Sequence, residues 1–191
     1  MFLRVKYGIK RVLQFFGFCN PALGTKISQE AKARMILEYK TPEVKVFVET
    51  GTRDGDMIES VGKSFQKIYS IELDTELYNK ARERFAGQHN VVLIEGDSGS
   101  KIQEVLAELH EPALFWLDAH GDSVPVSGPH AAPIKRELEA IFAHPIKNHT
   151  ILIDDVRHFD SEGISLVRRL AEMNQFNFLV RDGLFILTNK T

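Results

Sequence analysis

Cysteine is nearly absent. Cys19 is the one example in 191 residues, so no disulfide can close within the chain, and a reducing, cytoplasmic location is expected. No uninterrupted apolar run reaches the ~18 residues that a transmembrane helix needs. Charge of one sign is not in surplus: the net charge of −2 gives no global pull toward nucleic acid. There is no internal repeat, low-complexity tract or second compositional block, and the length suits one α/β domain with a sizeable core. Two phosphate-binding patterns are also missing. A P-loop needs Gly-Lys followed by Ser or Thr, which does not occur here. A dinucleotide fingerprint needs glycine at its first, third and sixth positions. Counting from Gly51, those places hold Gly51, Arg53 and Asp56, and Asp56 would repel a pyrophosphate.

What is present is concentrated in Val46-Phe47-Val48-Glu49-Thr50-Gly51-Thr52-Arg53-Asp54-Gly55-Asp56. An apolar run ends in an acid, then a glycine turn opens a helix. Gly51 and Gly55 have no Cβ to hold a ligand away, and the first turn of the helix offers free N–H groups. Twenty-one residues after Gly51 stands Glu72, at the end of Lys67-Ile68-Tyr69-Ser70-Ile71. An acid at the tip of a second parallel strand is placed to accept both hydroxyls of a ribose.

Apolar runs and punctuation lay out the rest. Helices are expected over 28–40, 55–65, 75–86, 100–109, 133–143 and 161–173, and strands over 44–49, 67–72, 91–95, 113–117 and 150–153. Leu77, Ala81 and Phe85 share a helix face that Gly87 ends, Ser100 and Gln103 form a capping box, and Pro133 suits a first turn. Asp182-Gly183 between 176–181 and 184–188 signals a hairpin. Alternating strands and helices give a parallel sheet covered on both faces. Five strand ends then carry acids: Glu49, Glu72, Asp97, Asp118 and Asp154/Asp155. Ligands of such sheets bind at that edge.

These residues resemble the class I S-adenosylmethionine-dependent methyltransferases, whose first motif is acid-x-Gly-x-Gly-x-Gly. Glu49, Gly51 and Gly55 match it, with Arg53 in place of the central glycine. The resemblance covers about 44–188 and implies a Rossmann-like α/β fold: a mostly parallel seven-stranded sheet, helices on both faces and a C-terminal antiparallel hairpin. Residues 1–43 then form an N-terminal helical segment ahead of a methyltransferase domain at 44–191. The implied cofactor is S-adenosylmethionine, held by Glu49, Gly51, Gly55, Asp56, Glu72, Asp97, Ser98 and Asp118, with a small molecule as methyl acceptor. Phe115-Trp116-Leu117-Asp118-Ala119-His120 and Ile151-Leu152-Ile153-Asp154-Asp155-Val156 further resemble strand ends of catechol-type O-methyltransferases. That likeness implies Mg²⁺ or another divalent cation on Asp118, Asp154 and Asp155, where Asp155 replaces the family's Asn. Gly121 stands where those enzymes carry a lysine base, leaving Asp118 and His120 as candidate catalytic residues.

Histidines add to the second half of the chain. His120 and His158 follow strand ends on the active edge and are candidates for a general base. His144 and His149 flank a strand entry at the opposite edge and are expected at the surface. Arg157 is a candidate anchor for an anionic substrate group. Residues 1–19 hold Arg4, Lys6, Lys10 and Arg11 with no acid, among Phe2, Leu3, Ile9, Val12, Leu13, Phe15 and Phe16. Two readings stay open for this segment: peripheral contact with an anionic membrane, or a helix packed over the pocket. A signal peptide does not fit, since Gln14 breaks the apolar run and no Ala-x-Ala site follows. Nucleic-acid partners are not expected, for want of an Asn/Asp-Pro-Pro-Tyr-type motif or a second basic patch. A catalytically inactive, methyltransferase-like binding module is the alternative to an enzyme.

Overall fold

The computed structural model describes residues 27–119 and 132–189. The expectations for residues 1–19, for the loop after Ala119 and for His120 lie outside that range. In chain order the elements are α1 (Gln29–Tyr39), β1 (Val46–Thr50), α2 (Asp56–Val61), β2 (Lys67–Glu72), α3 (Thr75–Arg84), β3 (Val91–Glu95), α4 (Ser98–Glu108), β4 (Ala113–Leu117), α5 (Ala132–Ala143), β5 (Thr150–Ile153), α6 (Ser161–Met173), β6 (Phe176–Arg181) and β7 (Leu184–Asn189). One seven-stranded sheet runs β3-β2-β1-β4-β5-β7-β6. It is parallel from β3 through β5, and β7 pairs antiparallel with both β5 and β6. The order reverses between β1 and β4, the switch point at which open α/β sheets bind ligands.

Side-chain alternation sorts each strand between two cores. Val46, Val48, Phe115, Leu117, Ile151 and Ile153 pack against Ile102, Val105 and Leu106 of α4, Ile134, Leu138 and Ile141 of α5, and Val167 and Ala171 of α6. Phe47, Leu114, Trp116 and Leu152 face the other way, onto Ala33, Met35 and Ile36 of α1, Met57, Ile58 and Val61 of α2, and Ala81 of α3. The i, i+3, i+4 spacing of these helical residues is what makes one apolar face per helix. Helix α1 shares this second core, although it lies ahead of residue 44. Among the described residues no helix is long and apolar enough to cross a membrane.

Several boundaries differ from the sequence expectation, each for a local reason. Helix α2 stops at Val61 and tightens into a 3₁₀ turn over Gly62–Ser64. Helix α4 starts at Ser98, because Asp97 caps it by accepting the Ser100 N–H; Ser100 is inside the helix and is not its cap. Helix α3 ends at Arg84 with Phe85 as its C-cap, before Gly87 is reached. The hairpin forms as expected, with Asp182 at φ 49° and Gly183 at φ 80°, the paired positive φ values that two-residue hairpins use.

His144 and His149 are not at the surface. His149 is 1% exposed and His144 9%. The Ala113 N–H donates to His149 Nδ1 at 3.0 Å. This leaves the hydrogen on Nε2, which donates to His144 Nδ1 at 3.0 Å. Burial, followed by the neighbouring His144, pulls the His149 pKa down to about 4. The folded pKa lies below the unfolded one, so this contribution to stability is complete above about pH 6.5 and is lost as pH falls toward 4. We expect wild type to lose about 1.5 kcal/mol through this group between pH 6.5 and 5. His149→Asn, which keeps an acceptor for Ala113, should lack that share of the loss. Urea unfolding of both proteins at the two pH values measures it, and identical pH slopes would refute the assignment.

Candidate active site

The strand tips at the switch point surround a cavity of about 720 Å³, lined among others by Gly51, Arg53, Glu72, Leu73, Asp97 and Asp118. Small-molecule sites commonly span about 300–1,000 Å³. Glu72 ends β2 and is 6% exposed. Its Oε2 accepts the Arg53 N–H at 2.8 Å and its Oε1 accepts the Asp74 N–H at 2.9 Å. Two backbone donors on opposite sides fix the carboxylate at the cavity wall before anything binds. Leu73 follows it, 71% exposed on the cavity lining.

Gly51 is needed for two reasons. Its φ is 85°, and a Cβ there would stand 2.7 Å from the Asp118 carbonyl oxygen. The β1–β4 register aligns Thr50 with Leu117, so Gly51 and Asp118 are the next pair outward. Gly55 also has a positive φ, but a Cβ on it would run into the Phe85 ring. Its lack of a side chain serves the packing of α3 and not the cavity. Asp56 opens α2 and pairs with Arg84 at 2.8 Å. Glu49, Gly55 and Asp56 are not among the described residues that line the cavity; Gly51, Glu72, Asp97, Ser98 and Asp118 are.

Glu49 lies beneath the floor, 2% exposed, and accepts from Ser70 Oγ at 2.5 Å across the β1–β2 pair. Thr52 and Ser70 hydroxyls are 2.6 Å apart. With the Ser70 proton directed to Glu49, Thr52 donates to Ser70. Burial pushes the Glu49 pKa up to about 8, opposed by Ser70 and reinforced by Glu72. At neutral pH Glu49 is therefore a neutral acid.

Asp97 has both oxygens engaged. Arg136 of α5 binds it in a two-pronged contact at 2.8 and 2.9 Å, and Ser100 adds its N–H and hydroxyl. Although burial raises it, these donors hold the Asp97 carboxyl below its ordinary pKa. On the other face of β1, Thr50 projects toward α5, where Glu137 is 1% exposed. Thr50 Oγ1 and Glu137 Oε1 are both buried, and burial raises Glu137 to about 7, opposed by hydrogen bonding with Ser98 and Thr50.

Asp118, Asp154 and Asp155 come together, with one oxygen from each within 4.8 Å of the others. The convergence follows from register: Leu117 pairs with Ile153, so Asp118 and Asp154 are the next residues on adjacent tips. Both lie on the face of Trp116 and Leu152, under α1. Lys32 of α1 reaches down and donates to Asp154 Oδ2, with its Nζ 5.9 Å from the Trp116 ring centroid. Burial alone would lower the Lys32 pKa, but the Asp154 carboxylate outweighs it and holds the ammonium protonated. Asp118 is raised well above the ordinary carboxylate range, first by burial and then by Asp154. Asp155 adopts φ 50° and ψ 47°. Its N–H donates to Asp154 Oδ1 at 2.7 Å and its Oδ2 accepts from Arg157 at 3.0 Å. His158 Nε2 accepts from Arg157 Nε at 2.8 Å, so that lone pair is already used. Lys32, Leu73, Arg136 and Glu137 were not singled out by the sequence. A single exposed leucine at a strand tip is the one local signal that would have found any of them.

No protein-family model matches the chain. Curated relatives align with part of it. An uncharacterized protein of Methanocaldococcus jannaschii is 34% identical over 86 residues, 41% of this chain and 33% of the relative. A ribosomal RNA small subunit methyltransferase A of Caldanaerobacter subterraneus subsp. tengcongensis is 29% identical over 106 residues, 56% of this chain and 37% of the relative. The chain thus spans about a third of the length of the curated relatives it matches. Solved structures match over more of it. An S-adenosylhomocysteine-bound methyltransferase of Podospora anserina aligns with a TM-score of 0.59 at 15% identity, covering 100% of this chain and 97% of that one. A precorrin-6y C5,15-methyltransferase of Geobacter metallireducens gives 0.61 at 13% identity, with 88% and 91% covered. An O-methyltransferase of Bacillus cereus in complex with S-adenosylhomocysteine gives 0.58 at 12% identity, with 95% and 97% covered. At these identities the likeness is one of architecture, and the fold of this chain is that of the class I S-adenosylmethionine-dependent methyltransferases.

Proposed function

We propose that the protein is an S-adenosylmethionine-dependent methyltransferase that methylates an oxygen atom of a small molecule. The observation that carries this reading is Glu72, a buried carboxylate oriented by two backbone N–H groups on the wall of a switch-point cavity. Such a carboxylate accepts two ribose hydroxyls through charge-assisted hydrogen bonds. Leu73 packs on the adenine, and Gly51 lets the methionine portion lie close to backbone. Asp97 contributes through its link to Arg136, and Ser98 through its backbone. Glu49 and Asp56 act one step back, Glu49 by supporting the floor with Ser70 and Asp56 by tying α2 to Arg84.

S-adenosylmethionine, when bound, supplies an electrophilic methyl group. The chain supplies position and a proton acceptor. Asp118 also lines the cavity, at the tip of β4, with β1 between it and Glu72 of β2. Its raised pKa brings it toward the working range of a general base, so it can take the proton of an acceptor hydroxyl as the oxygen is methylated. His120, two residues further on, is the second candidate for that proton. Asp118, Asp154 and Asp155 do not fit a divalent ion as they stand, since protein donors already hold Asp154 and Asp155, and no step is assigned to a metal.

An RNA acceptor is the second reading, favoured by the names of two curated relatives, both ribosomal RNA small subunit methyltransferase A. A rim of Glu72, Asp74, Glu76, Asp97 and Asp118 repels a phosphate backbone, which supports the small acceptor. Turnover assayed with a panel of phenols and alcohols, and in parallel with ribosomal RNA, separates the two.

Two outcomes test the site. Glu72→Ala should weaken S-adenosylmethionine binding by about 2–4 kcal/mol, roughly 30- to 1000-fold, as read by calorimetric titration. Unchanged affinity in the folded variant would refute the cofactor assignment. Asp118→Asn should lower kcat by about 10²–10⁴ while cofactor affinity stays within a few-fold of wild type. A variant with full turnover would pass the proton-acceptor role to His120.

A further inference from the structure

The cluster of Asp118, Asp154 and Asp155 has the composition of a divalent-cation site, yet a positive charge is already in it. We propose that the Lys32 ammonium is the resident cation of this cluster and excludes a divalent ion from it. The inference rests on geometry and stands whether or not the chain transfers a methyl group.

Four observations support it. Lys32 Nζ is bonded to Asp154 Oδ2, with the two side chains 10% and 1% exposed. Asp154 Oδ1 accepts the Asp155 N–H, so both oxygens of the most buried carboxylate are held by protein donors. Asp155 Oδ2 is held by Arg157, which brings a second fixed positive charge to the cluster. Lys32 also cannot easily retreat. It lies one turn before Ile36 on α1, and Ala33, Met35 and Ile36 anchor that helix in the core. The alkyl stem is buried, and the ammonium is within cation–π range of Trp116.

A divalent ion would therefore have to displace an ammonium whose side chain is only 10% exposed, or sit beside it against strong repulsion. An ammonium serves the same neutralising purpose with a difference in chemistry. It donates hydrogen bonds in fixed directions and has no open coordination position at which a substrate oxygen could be ligated. Lys32 is thus a positioning residue: it holds Asp154, and through the Asp155 N–H it holds the turn that carries Asp155.

The test is Mn²⁺ binding by electron paramagnetic resonance, with thermal unfolding in Mn²⁺, Ca²⁺ and EDTA. Wild type should bind no Mn²⁺ at the cluster, and its Tm should be the same with either ion or with EDTA. Lys32→Met removes the ammonium and leaves three acids together. It should gain one Mn²⁺ per chain, at an affinity at least about tenfold above wild type, and its lowered Tm should recover with Mn²⁺ or Ca²⁺. Adding Asp154→Asn to that variant should abolish both gains. Lys32→Gln, which still hydrogen-bonds Asp154, replaces the Met variant if the latter does not fold without an ion. Mn²⁺ binding by wild type that Asp154→Asn removes would overturn the proposal. So would a folded Lys32→Met or Lys32→Gln protein that stays free of Mn²⁺, because something other than Lys32 would then exclude the ion.

Discussion

Two-sided burial of the parallel sheet is the constraint from which the rest follows. Each central strand gives one apolar set to α4, α5 and α6 and the alternate set to α1, α2 and α3. A strand with both faces buried leaves little room for charged side chains except at its ends. The acids of this chain are therefore pressed to the carboxyl edge, and the parity of each strand decides which helix layer they meet. Thr50 faces α5 and meets Glu137. Asp118 and Asp154 share the Trp116 and Leu152 face, and meet Lys32.

That crowding gives the edge an unusual charge state. Burial raises Glu49 to about 8 and Glu137 to about 7, and Asp118 is raised as well. These acids stay protonated well above their ordinary range, so the edge carries less negative charge than its composition suggests. At the rim, two N–H groups orient the Glu72 carboxylate. Glu49 and Glu137 thus add little negative charge to the edge, while Asp97, Asp154 and Asp155 are carboxylates matched by Arg136, Lys32 and Arg157.

The architecture was largely legible from local signals. Apolar runs, an Asp-Gly turn and acids at strand ends are short-range features, and all seven strands lie where those features put them. The failures were also local ones: a cap sits one turn earlier than Ser100, and two histidines read as exposed satisfy each other in the interior. The candidate site was half legible. Glu72, Asp97 and Asp118 could be named because strand ends face ligands in open α/β sheets. Lys32 could not, since a lysine between Ala31 and Ala33 in a polar helix reads as solvated. Its partner lies 122 residues away, and nothing near either residue announces the other. Glu137 and Arg136 were hidden in the same way, by helix positions that acquire meaning only through packing.

Strand order carries a consequence for how the chain is made. Strand β7 follows β6 in sequence, yet it lies between β5 and β6 in the sheet. Until Leu184–Asn189 has been synthesised, β5 presents an open hydrogen-bonding edge of Thr150–Ile153. That edge borders the Lys32–Asp154 bond, which joins one of the earliest helices to a late strand. A nascent chain can assemble β1, β2 and β3 with α2 and α3 while still lacking the strand that seals β5. Sealing of β5 therefore waits for the β6–β7 hairpin, and until then a ribosome-bound intermediate has an additional open edge, at β5, to protect.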